Sequence, residues 1–290
     1  MHIPKIYIAA MVVLVSLVAI SYVSLDGRRP PREATTAELF QGIVYTRNVY
    51  SDPRPLIVHI VEIEMDTSGT RFLVTPGDTS QGLEIPARTT SAFVEEFGVQ
   101  VAINGSFFKP FRVGSFLFDY YPHHGDPVDV LGLAVADGEA YSLSDEERPV
   151  LCILNGQAVI HHFDCPGGTL QALAGNRIFL EEGNTTISNR GFPQPRTAVA
   201  VDETGKRLWL IVVDGRQPNY SEGITLAELA TLAKEIGAVY GLNLDGGGSS
   251  TLVVRDGHNL QVLNSPIHKR IPMWQRPVAN HLGIYAQPAE

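Results

Sequence analysis

Residues 225–250 read TLAELATLAKEIGAVYGLNLDGGGSS and hold a helix, a stop, a buried strand and a polar elbow in one run. Thr225-Leu226-Ala227-Glu228 is a capping box: the threonine hydroxyl serves the Glu228 amide and the glutamate reaches back. Leu226, Leu229, Ala230, Ala233 and Ile236 recur at helical spacing and make one apolar face. Gly237 ends the helix. Val239 to Leu244 is a strand, closed by Asp245-Gly246-Gly247-Gly248-Ser249-Ser250, and Thr251 to Val254 begins the next.

An earlier segment has the same outline. Ser91 to Phe97 is a short helix stopped by Gly98, Val99 to Ile103 is a buried strand, and Asn104-Gly105-Ser106 closes it. The two segments suggest an internal pseudo-repeat that brings Asn104 and Asp245 to one rim of a sheet, where open sheets place ligands. Around them, Leu56 to Ile63, Arg71 to Thr75, Leu131 to Val135, Val150 to Leu154 and Leu282 to Tyr285 read as strands. Thr197 to Val201 and Leu208 to Val213 form a hairpin about Asp202-Glu203-Thr204-Gly205. Residues 109–130 are rich in Phe, Tyr, Pro and His without a period, which predicts a long aromatic loop suited to binding.

The chain has 290 residues, 44% hydrophobic and 18% charged, which excludes a largely disordered protein. Its formal net charge of −9 argues against a nucleic-acid partner, which needs a basic face. Lys5 precedes an almost continuous apolar run, Ile6 to Val23, and about 20 apolar residues cross a bilayer core. Residues 1–25 therefore read as a signal anchor, or as a cleaved signal. Either exports the rest, membrane-anchored on the extracytoplasmic side or secreted to the periplasm or beyond. Residues 26–50, with Arg-Arg-Pro-Pro-Arg, read as a linker, and 51–290 as one catalytic domain. Cys152 and Cys165 flank two turns and are disulfide candidates, a bond worth roughly 3 kcal/mol through loop closure; the alternative is two buried thiols.

Walker, His-Glu-x-x-His, Gly-x-Ser-x-Gly and Rossmann signatures are absent, which removes those chemistries as first choices. Polar residues instead gather at strand ends. Asp245 with Gly246, Gly247 and Gly248 reads as an elbow with an anion nest. Asp214-Gly215-Arg216 follows another apolar strand, giving two carboxylates at two strand ends, the usual equipment of glycoside hydrolysis. Arg196 and Arg216 make a planar clamp for phosphate. His123-His124, His161-His162 and His281 are metal or acid–base candidates. Adjacent histidines on a strand point to opposite faces, so neither pair is a chelate, and no metal ligand is assigned.

Ala102-Ile103-Asn104-Gly105-Ser106-Phe107-Phe108, Pro195-Arg196-Thr197-Ala198, Val213-Asp214-Gly215-Arg216 and Asn243-Leu244-Asp245-Gly246-Gly247-Gly248-Ser249-Ser250 together resemble the phosphodiester glycosidase family. So do Gly223 to Leu229 and Arg276-Pro277-Val278-Ala279-Asn280. Bacterial relatives are associated with exopolysaccharide. The resemblance implies an α+β domain, here a mixed β-sheet core with a few packed helices, that hydrolyses the bond between a sugar's anomeric carbon and a phosphodiester. It implies site roles at Asn104, Arg196, Thr197, Asp214, Arg216, Asn243, Asp245, Ser249 and Ser250; His281 joins them from its place beside the last strand.

A phosphate monoester is a weak base and leaves with little proton help. Arginines and the glycine nest then hold the phosphate, and a carboxylate works at the anomeric carbon. Asp245 is expected in that role, with Asp214 second and Asn104 and Asn243 holding sugar hydroxyls or water. The expected partner is a sugar phosphodiester of the N-acetylglucosamine-phosphate type, or a phosphate-containing glycan. No cofactor is required, although a structural divalent cation is compatible with the design. Two other readings remain. One is a metal-dependent phosphodiesterase with Asp214, Asp245 and Asn243 as oxygen ligands. The other is a non-catalytic envelope protein that binds anionic polysaccharide through the aromatic loop.

Overall fold

A computed structural model of the chain describes residues 27–114, 120–143, 148–188 and 191–289, together with Tyr7, Met11, Val12, Val13 and Ser16. The anchor expected over residues 1–25 lies almost wholly outside them. Among the described residues no helix is long and apolar enough to cross a membrane.

Among the described residues strands dominate and every pairing between them is antiparallel, so the expected mixed sheet is not found there. The largest sheet has eight strands in the order Thr35–Phe40, Ile43–Tyr50, Leu56–Glu64, Arg207–Val213, Arg196–Val201, Tyr240–Asn243, Arg177–Glu181 and Asn184–Thr185. A five-stranded sheet runs Asn259–Val262, Leu252–Asp256, Val101–Asn104, His281–Tyr285 and Arg71–Val74. A second five-stranded sheet contains Val150–Leu154 and Gln157–His161.

Alternation along the strands explains how these layers stack. Val61, Ile63, Val199, Val201, Leu208, Leu210 and Val212 point to one face of the eight-stranded sheet. There they pack with Val101, Ile103, Leu252, Val254, Leu282 and Ile284 of the first five-stranded sheet and Leu151, Ile153 and Leu173 of the second. The intervening residues Ile60, Ala198, Ala200, Trp209 and Ile211 point outward and are covered by the helix Leu226–Glu235.

Two helices close the outer faces. The first, α1 (Thr90–Phe97), is capped by Thr89 and stopped by Gly98 at φ +70, and it buries Phe93 and Val94 against the five-stranded sheet. The second, α2 (Leu226–Glu235), carries the expected capping box, a device worth about 1 kcal/mol. It buries Leu229, Ala230, Leu232 and Ala233 on the small side chains of Ala198 and Ala200, which lets the helix lie close to the sheet.

Three expectations change here, and one pair of alternatives, at the cysteines, is decided. Asn104 and Asp245 belong to segments with the same helix–turn–strand order, but the strands lie in two opposing sheets rather than one. The stretch 26–50 is not a linker throughout: Thr35–Phe40 and Ile43–Tyr50 are strands, the second paired with Leu56–Glu64 along its length. The signal was present, since Ile43 and Tyr45 are buried and Val44 is exposed. The aromatic loop carries short strands at Phe108–Lys109, Arg112–Val113, Tyr120–Tyr121 and Pro127–Val130; its residues 115–119 lie outside the described residues. Cys152 and Cys165 are joined as a disulfide, with Cα atoms 5.7 Å apart, so they are not free thiols.

Candidate active site

The strand ends of the two opposing sheets meet at a cleft of about 530 Å³. Tyr240–Asn243 delivers Asn243 and the Asp245-to-Gly248 elbow to it. Arg196 opens the next strand, and Arg216 follows the end of Arg207–Val213 in a left-handed backbone conformation, φ +60. Phe107, Phe108 and Phe111 come from the chain leaving Val101–Asn104, and Arg276 comes from the segment before the last strand. A larger cavity, about 680 Å³, lies elsewhere among Asp66, Arg71, Asp137 and Tyr285 and holds none of the expected residues. Chemistry, not size, selects the smaller one.

Among the described residues Asp245 is the acidic side chain of this cleft. Its Oδ2 accepts a hydrogen bond from Ser249 Oγ at 2.6 Å. Burial pushes its pKa up to about 6, against the opposing pull of the Ser249 hydroxyl, Arg276, the Gly246 amide and Arg216. Arg216 and Arg276 act on its charge, and Arg196 lines the same cleft with its Nε donating to Ile224 O at 3.3 Å. Arg196, Arg216 and Arg276 all have pKa values drawn below the ordinary arginine value, first by burial and then by neighbouring positive charge. Three cations about one carboxylate leave an excess of positive charge in a partly desolvated pocket, which favours a bound anion.

Packing holds the arginines in place. Arg216 donates to Gln194 Oε1 at 2.5 Å. Arg276 donates to Ser249 Oγ at 3.1 Å and to His268 Nδ1 at 3.2 Å, and its guanidinium lies 4.7 Å from the Phe111 ring centre. Burial and the charges of Arg276 and Lys269 bring the His268 pKa down to about 3, so its neutral ring accepts that bond. Gly247 sits at φ +65 against Arg216, and a Cβ on Gly248 would stand 2.5 Å from Arg276 Nη2. Glycine there admits the guanidinium. The anion nest expected at Gly246 to Gly248 is not free: the Gly246 amide serves Asp245 and the Gly247 amide donates to Pro195 O at 2.9 Å.

Asn243 lines the cleft. Its Nδ2 donates to Asn176 Oδ1 and to Leu244 O, while its buried Oδ1 has no hydrogen-bond partner among the described residues. This buried acceptor stands unpaired just behind the cleft wall, so a bound hydroxyl or water reaches it only after a small side-chain shift.

Other expected residues stand behind the cleft rather than in it. Asp214 is buried, with Oδ2 3.0 Å from His59 Nε2 and Oδ1 accepting from Asn264 Nδ2 and the Ser265 amide. It fixes the root of the Arg216 turn and does not line the cleft, so among the described residues the expected pair of cleft carboxylates is a single one. For the same reason Asp214, Asp245 and Asn243 do not converge as a ligand set. Among the described residues no group of three or more His, Cys, Asp or Glu is placed to hold a metal ion.

Asn104 is fully buried and ties the elbow down: its Nδ2 donates to Asp245 O, and its Oδ1 accepts from Thr197 Oγ1 and the Thr251 amide. Thr197, Ser249 and Ser250 are buried with it. Ser250 gives its carbonyl to Asn264, while its buried hydroxyl has no partner among the described residues. His281 is buried beside Thr75 and stacked on Phe93, with a pKa well below the ordinary value, chiefly from burial; it does not line the cleft. His123 and His162 lie exposed beside Asp126 and Glu181.

Arg276, His268, Asn176 and Gln194 are site residues that the motif reading did not assign. Arg276 lay inside a quoted segment, but nothing local to Arg-Pro-Val-Ala-Asn marks its side chain as turned inward.

The phosphodiester glycosidase family model matches residues 97–285. No curated protein matches the chain. Among solved structures it is similar to a hypothetical protein from Synechocystis, at 15% identity and a TM-score of 0.67, over 90% of this chain and 64% of that one. It is also similar to the zebrafish N-acetylglucosamine-1-phosphodiester alpha-N-acetylglucosaminidase catalytic domain, auto-inhibited by its pro-peptide. There the identity is 19% and the TM-score 0.60, over 91% of this chain and 93% of that one. At these identities the likeness carries the fold.

Proposed function

The chain belongs to the phosphodiester glycosidase family, and on that premise we propose that its cleft hydrolyses the anomeric C–O bond of a sugar-1-phosphodiester. The zebrafish structure, named for an N-acetylglucosamine phosphodiester, suggests that sugar type for this chain as well. The observation that carries the reading is the arrangement of Arg196, Arg216 and Arg276 about buried Asp245.

In this reading the arginines hold the phosphate and take up the charge that develops as the bridging oxygen leaves with phosphorus. Ionised Asp245 acts at the opposite partner of that bond, on the anomeric carbon or on the water that attacks it. Ser249 fixes one carboxylate oxygen. Asn243 Oδ1 accepts a sugar hydroxyl or orients the water. Water supplies an OH to the sugar, its proton passes by way of Asp245 to solvent or to the departing phosphate, and the phosphate leaves as a monoester with the bond electrons.

Hydrolysis in oxygen-18 water is expected to place the label in the released sugar, read by mass spectrometry. Label in the phosphate would mean P–O cleavage and overturn the proposal.

The pH profile gives a second test. A carboxyl with a pKa of about 6 is protonated below that value, and this chemistry needs it ionised. Activity on a substrate whose own charge is constant therefore rises with pH through about 6 in kcat/KM. The bound phosphodiester anion raises the Asp245 pKa further, so the midpoint for kcat lies at a higher pH. A profile flat from pH 5 to 8 would remove ionised Asp245 from the mechanism.

A further inference from the structure

The cleft is more positive than one phosphodiester requires. A diester carries a single negative charge, and Arg196, Arg216 and Arg276 already face it. Among the described residues lining the cleft, Asp245 is the one acidic side chain. The segment running into Arg276 then adds Lys269 and Arg270, in a chain whose formal net charge is −9. Arg270 is exposed, and its charge acts on Arg216, so the two guanidinium groups lie within electrostatic reach of each other. Lys269 Nζ is held 5.0 Å from the Tyr120 ring centre and 5.1 Å from that of Trp274, and Trp274 remains 40% exposed. His268 joins this wall to Arg276.

The backbone here is unusual as well. Lys269, Arg270 and Met273 all sit at positive φ, +54, +60 and +61, a conformation that costs non-glycine residues energy. Such strain clusters where side chains must be aimed. Here the two cations follow His268, whose ring accepts from Arg276 of the cleft, so they stand beside the anion site.

We propose that Lys269, Arg270, Tyr120 and Trp274 form a second subsite that takes the next unit of a sugar–phosphate chain, which makes the substrate an anionic glycan with repeating phosphodiesters. The proposal rests on the phosphodiester reading of the main cleft. The cations hold the second phosphate, and the part of Trp274 left exposed beside Lys269 packs on a sugar ring.

The test measures binding and turnover separately. Two probes are titrated calorimetrically into the full chain carrying Asp245→Asn: the methyl phosphodiester of N-acetylglucosamine 1-phosphate, and a trimer of phosphodiester-linked N-acetylglucosamine 1-phosphate units. The trimer is expected to bind at least tenfold more tightly at low salt, with the advantage shrinking as salt rises. Adding Lys269→Ala and Arg270→Ala together is expected to bring the ratio of the two affinities to within about twofold of one. Alanine and lysine have the same Cβ at positive φ, so the substitution adds no backbone strain. Arg270→Gln alone, which keeps the side-chain bulk, is expected to remove a large part of the advantage. Equal binding of the two probes, or a ratio unmoved by the substitutions, would overturn the subsite. Failure of the parent enzyme to hydrolyse either probe would sink the hydrolytic reading instead, while the affinity ratio still decides the subsite.

Discussion

Asp245→Asn is expected to lower kcat by about three orders of magnitude in a protein that remains folded. The amide keeps the shape of the carboxyl, and its oxygen still accepts the Ser249 hydroxyl, so the elbow keeps its tie. What is lost, in the proposed mechanism, is the negative charge that acts at the anomeric carbon. Stability moves the other way. A carboxyl whose folded pKa is raised contributes most below its unfolded value of 3.8, and the fold loses stability as pH rises from there through about 6. At pH 7.5 the ionised group is therefore a cost to the fold, and the asparagine variant should melt no lower than its parent by circular dichroism. A folded variant with near-parental kcat would take Asp245 out of the chemistry.

Asp214→Ala is expected to do the reverse. Asp214 accepts bonds from Asn264 and from the Ser265 amide, and it stands against His59, which in turn meets Tyr45 Oη at 2.9 Å. Removing the centre of this buried network leaves several polar groups without partners, a loss of about 3–5 kcal/mol. For a domain of this size that lowers Tm by roughly 10 °C. Because Asp214 also roots the Arg216 turn, KM should rise in the fraction that folds, while kcat falls less than tenfold. A thousandfold fall in kcat at an unchanged Tm would restore Asp214 as a catalytic carboxylate.

These two aspartates mark where the sequence stops being readable. Both follow an apolar strand and precede glycine, so the local pattern is one pattern. What separates them is burial against residues far off in the chain: His59 lies 155 positions from Asp214. Local signals fared better. The Thr225 capping box, the Gly98 stop and the Asp202-to-Gly205 hairpin depend on neighbours within a few residues, and each is found where its residues predict it. The first strand, Thr35–Phe40, was missed because almost all of it is exposed at a sheet edge, and no apolar alternation announces it. Arg276 was missed for a related reason. Its inward aim comes from Ser249, His268 and Phe111, which only the folded chain brings to it. The arginine clamp was legible at Arg196 and Arg216, and it is larger than that reading allowed.

The cleft is stitched from segments near positions 107, 196, 216, 245 and 276, brought together by two separate sheets. No contiguous fragment contains a working subset. Catalytic competence should therefore return late in refolding, after most of the strand signal has recovered, and separately expressed halves should be inert until mixed. Turnover in this protein is a gauge of completed assembly as much as of chemistry.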